Sequence, residues 1–93
     1  MRIVFLKSTL QDVAWFRYYY RSVFPEGEQS AKAQLKATQS LLAANPYIGH
    51  PSFTRPGVRE LHLQKTPFSL IYRVTETKIE ILRLWDERQG STY

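Results

Sequence analysis

Hydrophobic positions along the chain change their spacing twice, and each change marks a boundary between elements. Residues 2–6, RIVFL, are apolar and β-branched enough for a short buried strand, which Lys7 and Ser8 end. From residue 9 the spacing becomes helical: at 100° per residue Leu10, Val13, Phe16, Tyr20, Val23 and Phe24 fall on one face. This predicts a helix over about 9–24, capped by Ser8 or Thr9, with Gln11 or Asp12 in the capping-box position and Asp12 near the positive end of the dipole. PEGE at 25–28 interrupts the rhythm, and a second amphipathic helix runs to about Ala44 with Ala31, Leu35, Thr38, Leu41 and Leu42 as its apolar stripe. The short connection makes the two helices antiparallel neighbours. Asn45-Pro46 ends the pair, because proline disfavours helical geometry in the residue before it.

Residues 46–57, PYIGHPSFTRPG, hold three prolines and two glycines and read as a loop. Beyond them the period falls to two in VRELHL (58–63), PFSLIYRV (67–74) and KIEILRLW (78–85), joined by short turns, which predicts an antiparallel meander. The expected fold is α+β: an N-terminal strand, then a two-helix hairpin packed on one face of an antiparallel sheet that the meander completes, in a single domain over 1–93. Phe68, Leu70, Tyr72 and Val74, with Leu61 and Leu63, should face the helices, and Ser69, Ile71 and Arg73 should point away. In the last strand Ile79, Ile81, Arg83 and Trp85 share one side and Leu82 and Leu84 the other, so both sides are apolar at its end and one is expected to meet another chain.

Composition narrows the function. With no cysteine there is no disulfide framework and no thiolate chemistry, which suits a reducing cytoplasm. The apolar run before Lys7 is too short for a signal-peptide core or a membrane span, so a soluble protein without a membrane partner is expected. Thirteen Lys and Arg against eight acids leave a net charge of +5, which fits a nucleic acid or an acidic polypeptide. His50 and His62 are the two histidines and lack carboxylate or cysteine companions at ligand spacing, so no metal is expected. Neither a phosphate-binding loop nor a dinucleotide fingerprint is present, and no cofactor is expected. The arginines of the C-terminal sheet and tail, Arg59, Arg73, Arg83 and Arg88, carry donor forks that match phosphate or carboxylate, unless they are solvated strand residues paired with Glu60, Glu80 and Glu87. In WFRYYYR (15–21), Phe16 and Tyr20 belong to the core stripe, whereas Trp15, Tyr18 and Tyr19 form an outward strip. That strip either packs under a loop or the second helix, or anchors a partner chain.

The run LLAANPYIGHPSFTRPGVRELHLQKTPFSLIYRVTETKIEILRLWDERQ resembles the RelE/ParE superfamily of toxins from type II toxin–antitoxin and plasmid-stabilisation modules. The resemblance rests on the helix-end NP followed by Gly49, then VREL, the Pro-Phe-initiated strand ending IYRV, and IEILRLW with Arg88 close behind. Two functional branches share the fold. ParE-like members poison DNA gyrase without performing chemistry, and VREL, PFSLIYRV and ILRLW resemble that side more. RelE-like members are ribosome-dependent mRNA endoribonucleases, for which Arg59, Arg73 and Arg83 would hold phosphate and His62 or Tyr93 would handle the proton. Many relatives place a histidine after the last strand; Asp86 stands there in this chain, and Arg83 and Arg88 would lower its pKa, which weakens the ribonuclease reading. A third alternative is a superfamily member that retains no toxic activity. The resemblance implies a cognate antitoxin, with oligomers formed through it, and assigns target contacts to Arg59, Arg73, Arg83, Trp85 and Arg88 and antitoxin or self-association contacts to Trp15, Tyr18 and Tyr19.

Overall fold

The computed structural model describes residues 1–89. Strand β1 (Arg2–Phe5) leads through a 3-10 turn at Lys7–Thr9 into α1 (Leu10–Tyr18), which widens into a π-turn at Tyr19–Val23. After a second 3-10 turn at Pro25–Gly27 come α2 (Glu28–Ala44), β2 (His50–Pro51), β3 (Arg59–His62), β4 (Phe68–Val74) and β5 (Lys78–Asp86), closed by a 3-10 turn at Glu87–Gln89. The sheet order is β1-β5-β4-β3-β2, with β1 parallel to β5 and the other pairs antiparallel. The α+β architecture, the helical hairpin and the three-strand meander are therefore as the periodicity predicts, but the sheet, expected to be antiparallel, is mixed, because β1 returns through the helices to lie parallel to β5. The proline-rich stretch, expected to be loop throughout, contributes the two-residue β2 as a fifth strand, and Pro51 sits on the sheet edge, where a missing N–H costs least.

The core joins Phe16 and Tyr20 of the first helix, Ala31 and Leu42 of the second, and Phe68, Leu70, Tyr72, Ile79, Ile81 and Leu84 of the sheet. Phe68 is its hub, with ring centroids of Phe16, Tyr19 and Tyr20 at 4.9, 6.1 and 6.1 Å. The predicted stripe on the first helix holds only in its middle. Leu10 is 67% exposed at the helix start, and Val23 and Phe24 are exposed at the end. The π-turn, closed by Phe24 N donating to Tyr19 O at 2.8 Å, adds a residue to one turn and so rotates everything after it off the predicted face. The same widening brings the adjacent Tyr19 and Tyr20 both onto Phe68.

The first helix also starts differently from the expected capping box. Neither Ser8 nor Thr9 caps it: Thr9 Oγ1 donates to Leu6 O at 2.7 Å and Ser8 Oγ to Leu82 O at 2.6 Å. In the last strand a bulge resolves the double apolar phase. Tyr72 pairs with Ile81 but Ile71 with Arg83, leaving Leu82 as the extra residue and inverting the alternation beyond it. Ile79 and Ile81 before the bulge and Leu84 and Asp86 after it are all buried on the helix side. Ile79, Ile81 and Leu84, drawn from both phases, thus serve one core, while Leu82 and Trp85 lie outside it at intermediate burial.

Gly49 ends the long loop against the sheet. Its N–H donates to the Tyr72 hydroxyl at 2.9 Å, and a Cβ there would lie 2.6 Å from that oxygen and 2.7 Å from Glu60 O, so only glycine allows this approach. Burial raises the Tyr72 pKa, which keeps the phenol neutral as donor and acceptor.

Candidate functional site

The end of β5 and the outer aspect of α1 meet in one polar-aromatic cluster. Asp86 is buried, and its Oδ2 accepts from Trp15 Nε1 at 2.9 Å and Arg88 Nη2 at 2.8 Å. Its Oδ1 accepts from the backbone N and Nε of Arg88, both at 3.0 Å. The Arg88 guanidinium lies 4.4 Å from the centroid of the Tyr19 ring and donates through Nη1 to the Tyr19 hydroxyl at 3.0 Å. Trp15 stacks in turn on Tyr18, at 5.8 Å between centroids. The outward strip is therefore divided. Tyr18 stays exposed, Trp15 is half-exposed but tethered to Asp86, and Tyr19 leans on the core under Arg88.

Hydrogen bonds from Arg88, joined by the Trp15 indole, hold the Asp86 carboxyl well below its ordinary 3.8, at about 2, although burial works in the opposite direction. An aspartate so held is ionised at neutral pH and has no proton to give. The guanidinium of Arg88 is correspondingly harder to deprotonate. Because folding lowers the Asp86 pKa, the ionised carboxylate stabilises the native state above pH 4, and that stabilisation is lost as pH falls through the interval from 4 to about 2. A shift of this size corresponds to about 2 kcal/mol. Urea titrations between pH 5 and 2.5 should show wild type losing more stability than Asp86→Asn; parallel losses would remove Asp86 from the acid response.

A second carboxylate does related work along the edge of β5. Beyond the reach of β1, residues 8–15 run beside this strand, and Asp12 accepts from Arg83 Nε at 2.7 Å, Arg83 Nη2 at 2.8 Å and the Leu84 backbone N at 3.0 Å. Asp12 is buried. The sequence suggests for it a capping-box or dipole role; the signal that could have found the ion pair is a lone acid one turn from the helix start, in a chain whose last strand carries a mid-strand arginine.

The arginines occupy different surroundings. Arg59 stands opposite Tyr72 and Arg73 opposite Glu80, so the alternation of β4 puts these two arginines on opposite faces of the sheet. Arg59 donates to Gly49 O at 2.7 Å and Tyr47 O at 3.2 Å and lies 5.1 Å from the centroid of the Tyr47 ring. Arg73 donates to Glu80 at 2.6 Å, which lowers the Glu80 pKa. Arg83 faces the centroid of the Trp85 ring at 5.0 Å. His62 sits at the opposite end of β3 from Arg59, where its Nδ1 lies 2.5 Å from Glu87 Oε2 and 3.3 Å from Ser69 Oγ, and Ser69 also donates to Glu87. Both the serine and the carboxylate meet the same ring nitrogen, which is not the relay of a nucleophilic triad. The three arginines and His62 are thus not gathered at one point, and Tyr93 lies outside the described residues.

Residues 3–90 match the family described as ParE toxin of type II toxin-antitoxin system, parDE. This chain belongs to the ParE toxin family. A solved structure of the chromosomal ParDE toxin–antitoxin system from P. aeruginosa is similar at 32% identity and a TM-score of 0.69, over 90% of this chain and 92% of that one. No curated protein matches the chain. The ParE match places the protein among type II toxins and on the ParE side of the two branches. Among the described residues, no helix is long and apolar enough to cross a membrane, and no group of three or more His, Cys, Asp or Glu is placed to hold a metal.

Proposed function

We propose that this ParE-family toxin arrests growth by holding DNA gyrase on cleaved DNA in the cytoplasm, through surface contacts and without chemistry of its own. The observation that carries the reading is the locked Asp86–Arg88–Trp15 cluster. The carboxylate at the end of the last strand, where a ribonuclease needs a proton donor, is kept ionised by its partners. Family membership supports the same direction. Arg88 and Trp85, with Arg59, Arg73 and Arg83, are the proposed target contacts. Purified protein should stop gyrase supercoiling and raise linear, cleaved DNA at near-stoichiometric ratios. Unchanged supercoiling at excess toxin, together with new 5′ ends in ribosome-bound messenger, would replace this reading with the ribonuclease one.

Neutralisation by a cognate antitoxin is part of the proposal. Two surfaces favour it: the half-exposed Trp15 and exposed Tyr18 beside Arg88, and an apolar cavity of about 600 Å³ lined by Phe5, Leu10, Val13 and Leu35 with Lys7 and Arg17 among its lining residues. An acidic, partly disordered antitoxin segment that orders on binding would cover apolar surface and neutralise those cations together.

A further inference from the structure

The connection between α2 and β3 carries a side chain, Phe53, that the antitoxin and gyrase readings leave unused. Phe53 is 94% exposed, more than any other large apolar side chain among the described residues. It stands on a tightly bonded turn. Ser52 N donates to Val58 O at 2.8 Å and Val58 N to Arg55 O at 3.1 Å, while Ser52 Oγ accepts from Thr54 N and Arg55 N, both at 3.2 Å. Gly57, at φ +80°, closes the turn. The phenyl ring is thus presented with little conformational freedom left to lose in its backbone, which lowers the entropic cost of a ligand on it.

The stretch of chain that carries the ring has charge of one sign. From Gln29 to Arg59 the chain contains no Asp or Glu, and Arg55 in the loop is joined by His50 of β2 and Arg59 at the start of β3; the first carboxylate is Glu60, opposite His50 in the sheet. A second exposed aromatic of this loop, Tyr47, already stacks with Arg59 at the start of β3. Projecting aromatic faces and arginines on a stretch of chain that itself carries no acid suit a ligand that offers flat π surfaces and a polyanionic backbone at once. A nucleic acid with unpaired bases has both, whereas a protein partner would have to supply a pocket around a ring that is 94% exposed.

We propose that the Phe53 loop binds single-stranded nucleic acid, with Phe53 stacking on a base and Arg55 and Arg59 lying along the phosphates. The toxin alone is tested by fluorescence anisotropy with a labelled oligothymidine, an RNA strand of the same length and a duplex. Single strands should bind, Phe53→Ala should weaken binding roughly tenfold, the scale of one base–aromatic stack, and Phe53→Trp should restore it. Arg55→Ala should reduce the slope of log affinity against log salt by about 0.7, one phosphate contact on a single strand. The preference between the DNA and RNA strands identifies the source of the ligand. Absence of strand binding by the wild type, equal affinity of Phe53→Ala, or binding confined to the duplex and indifferent to Phe53 would each overturn the proposal. So would a Phe53→Ala variant that binds strands normally but no longer inhibits gyrase, because the loop would then be a protein contact. Gyrase is absent from the binding assay, so failure of the gyrase reading leaves this result standing, and the exposure of Phe53 means the variants should melt as the wild type does.

Discussion

Phe68→Ala is expected to leave the toxin largely unfolded at growth temperature. Phe68 is fully buried and is the surface on which Phe16, Tyr19 and Tyr20 converge, so its removal takes away the floor under the first helix and the π-turn together. Truncating a buried phenylalanine costs about 3–5 kcal/mol, from lost transfer free energy and the cavity left behind. A chain of 93 residues, with no cysteine, has little stability in reserve. The melting temperature should fall by at least roughly 15 °C. Circular dichroism melts of wild type and variant decide it. A fall of only a few degrees would mean that the three rings collapse into the gap, and the core would then be centred elsewhere.

This hub also shows what was legible in the sequence. Phe16 and Tyr20 lie on the predicted helical face, and Phe68, Leu70 and Tyr72 lie on the predicted strand face, because both positions obey simple periods of 3.6 and 2. Two of the failures come where one residue is inserted into a period. The π-turn at Tyr19–Val23 moves Val23 and Phe24 out of the core and Tyr19 onto it. The bulge at Leu82 moves Leu84 and Asp86 into it. Both insertions are set by tertiary packing, and neither leaves a glycine or proline at the point of insertion to signal it.

The polar cluster was half legible. That Arg88 and Arg83 would depress the Asp86 pKa could be argued from adjacency, and Arg88 does so. That Trp15, 71 residues earlier, would donate to the same carboxylate could not, because the contact depends on how the hairpin lies along the strand edge. The arginines illustrate the same limit. Their residue type suggests phosphate or carboxylate recognition, but the face each occupies depends on register, and register places Arg59 and Arg73 on opposite sides.

Asp12→Ala should be the most damaging polar substitution, at about 3 kcal/mol. Past Phe5 the edge of β5 has no strand beside it, and an open edge with a buried N–H is a liability for both stability and association. Asp12 closes that edge by accepting from Leu84 N and from Nε and Nη2 of Arg83. Its removal leaves the buried Leu84 amide without its acceptor and takes two hydrogen bonds from the guanidinium, and orphaning a buried donor costs more than the net worth of its bond. Arg83→Ala should cost less, because the arginine is partly exposed and Leu84 N keeps its partner. Asp12→Asn should fall between the two, since an amide oxygen still serves one donor but the charge is lost. Urea denaturation of the three variants tests the order. If Asp12→Ala and Arg83→Ala lose the same stability, the ion pair accounts for the whole effect and the strand edge needs no cap. If Asp12→Ala loses more and also begins to self-associate with rising concentration, the carboxylate is what keeps the half-open β5 from pairing with a second chain.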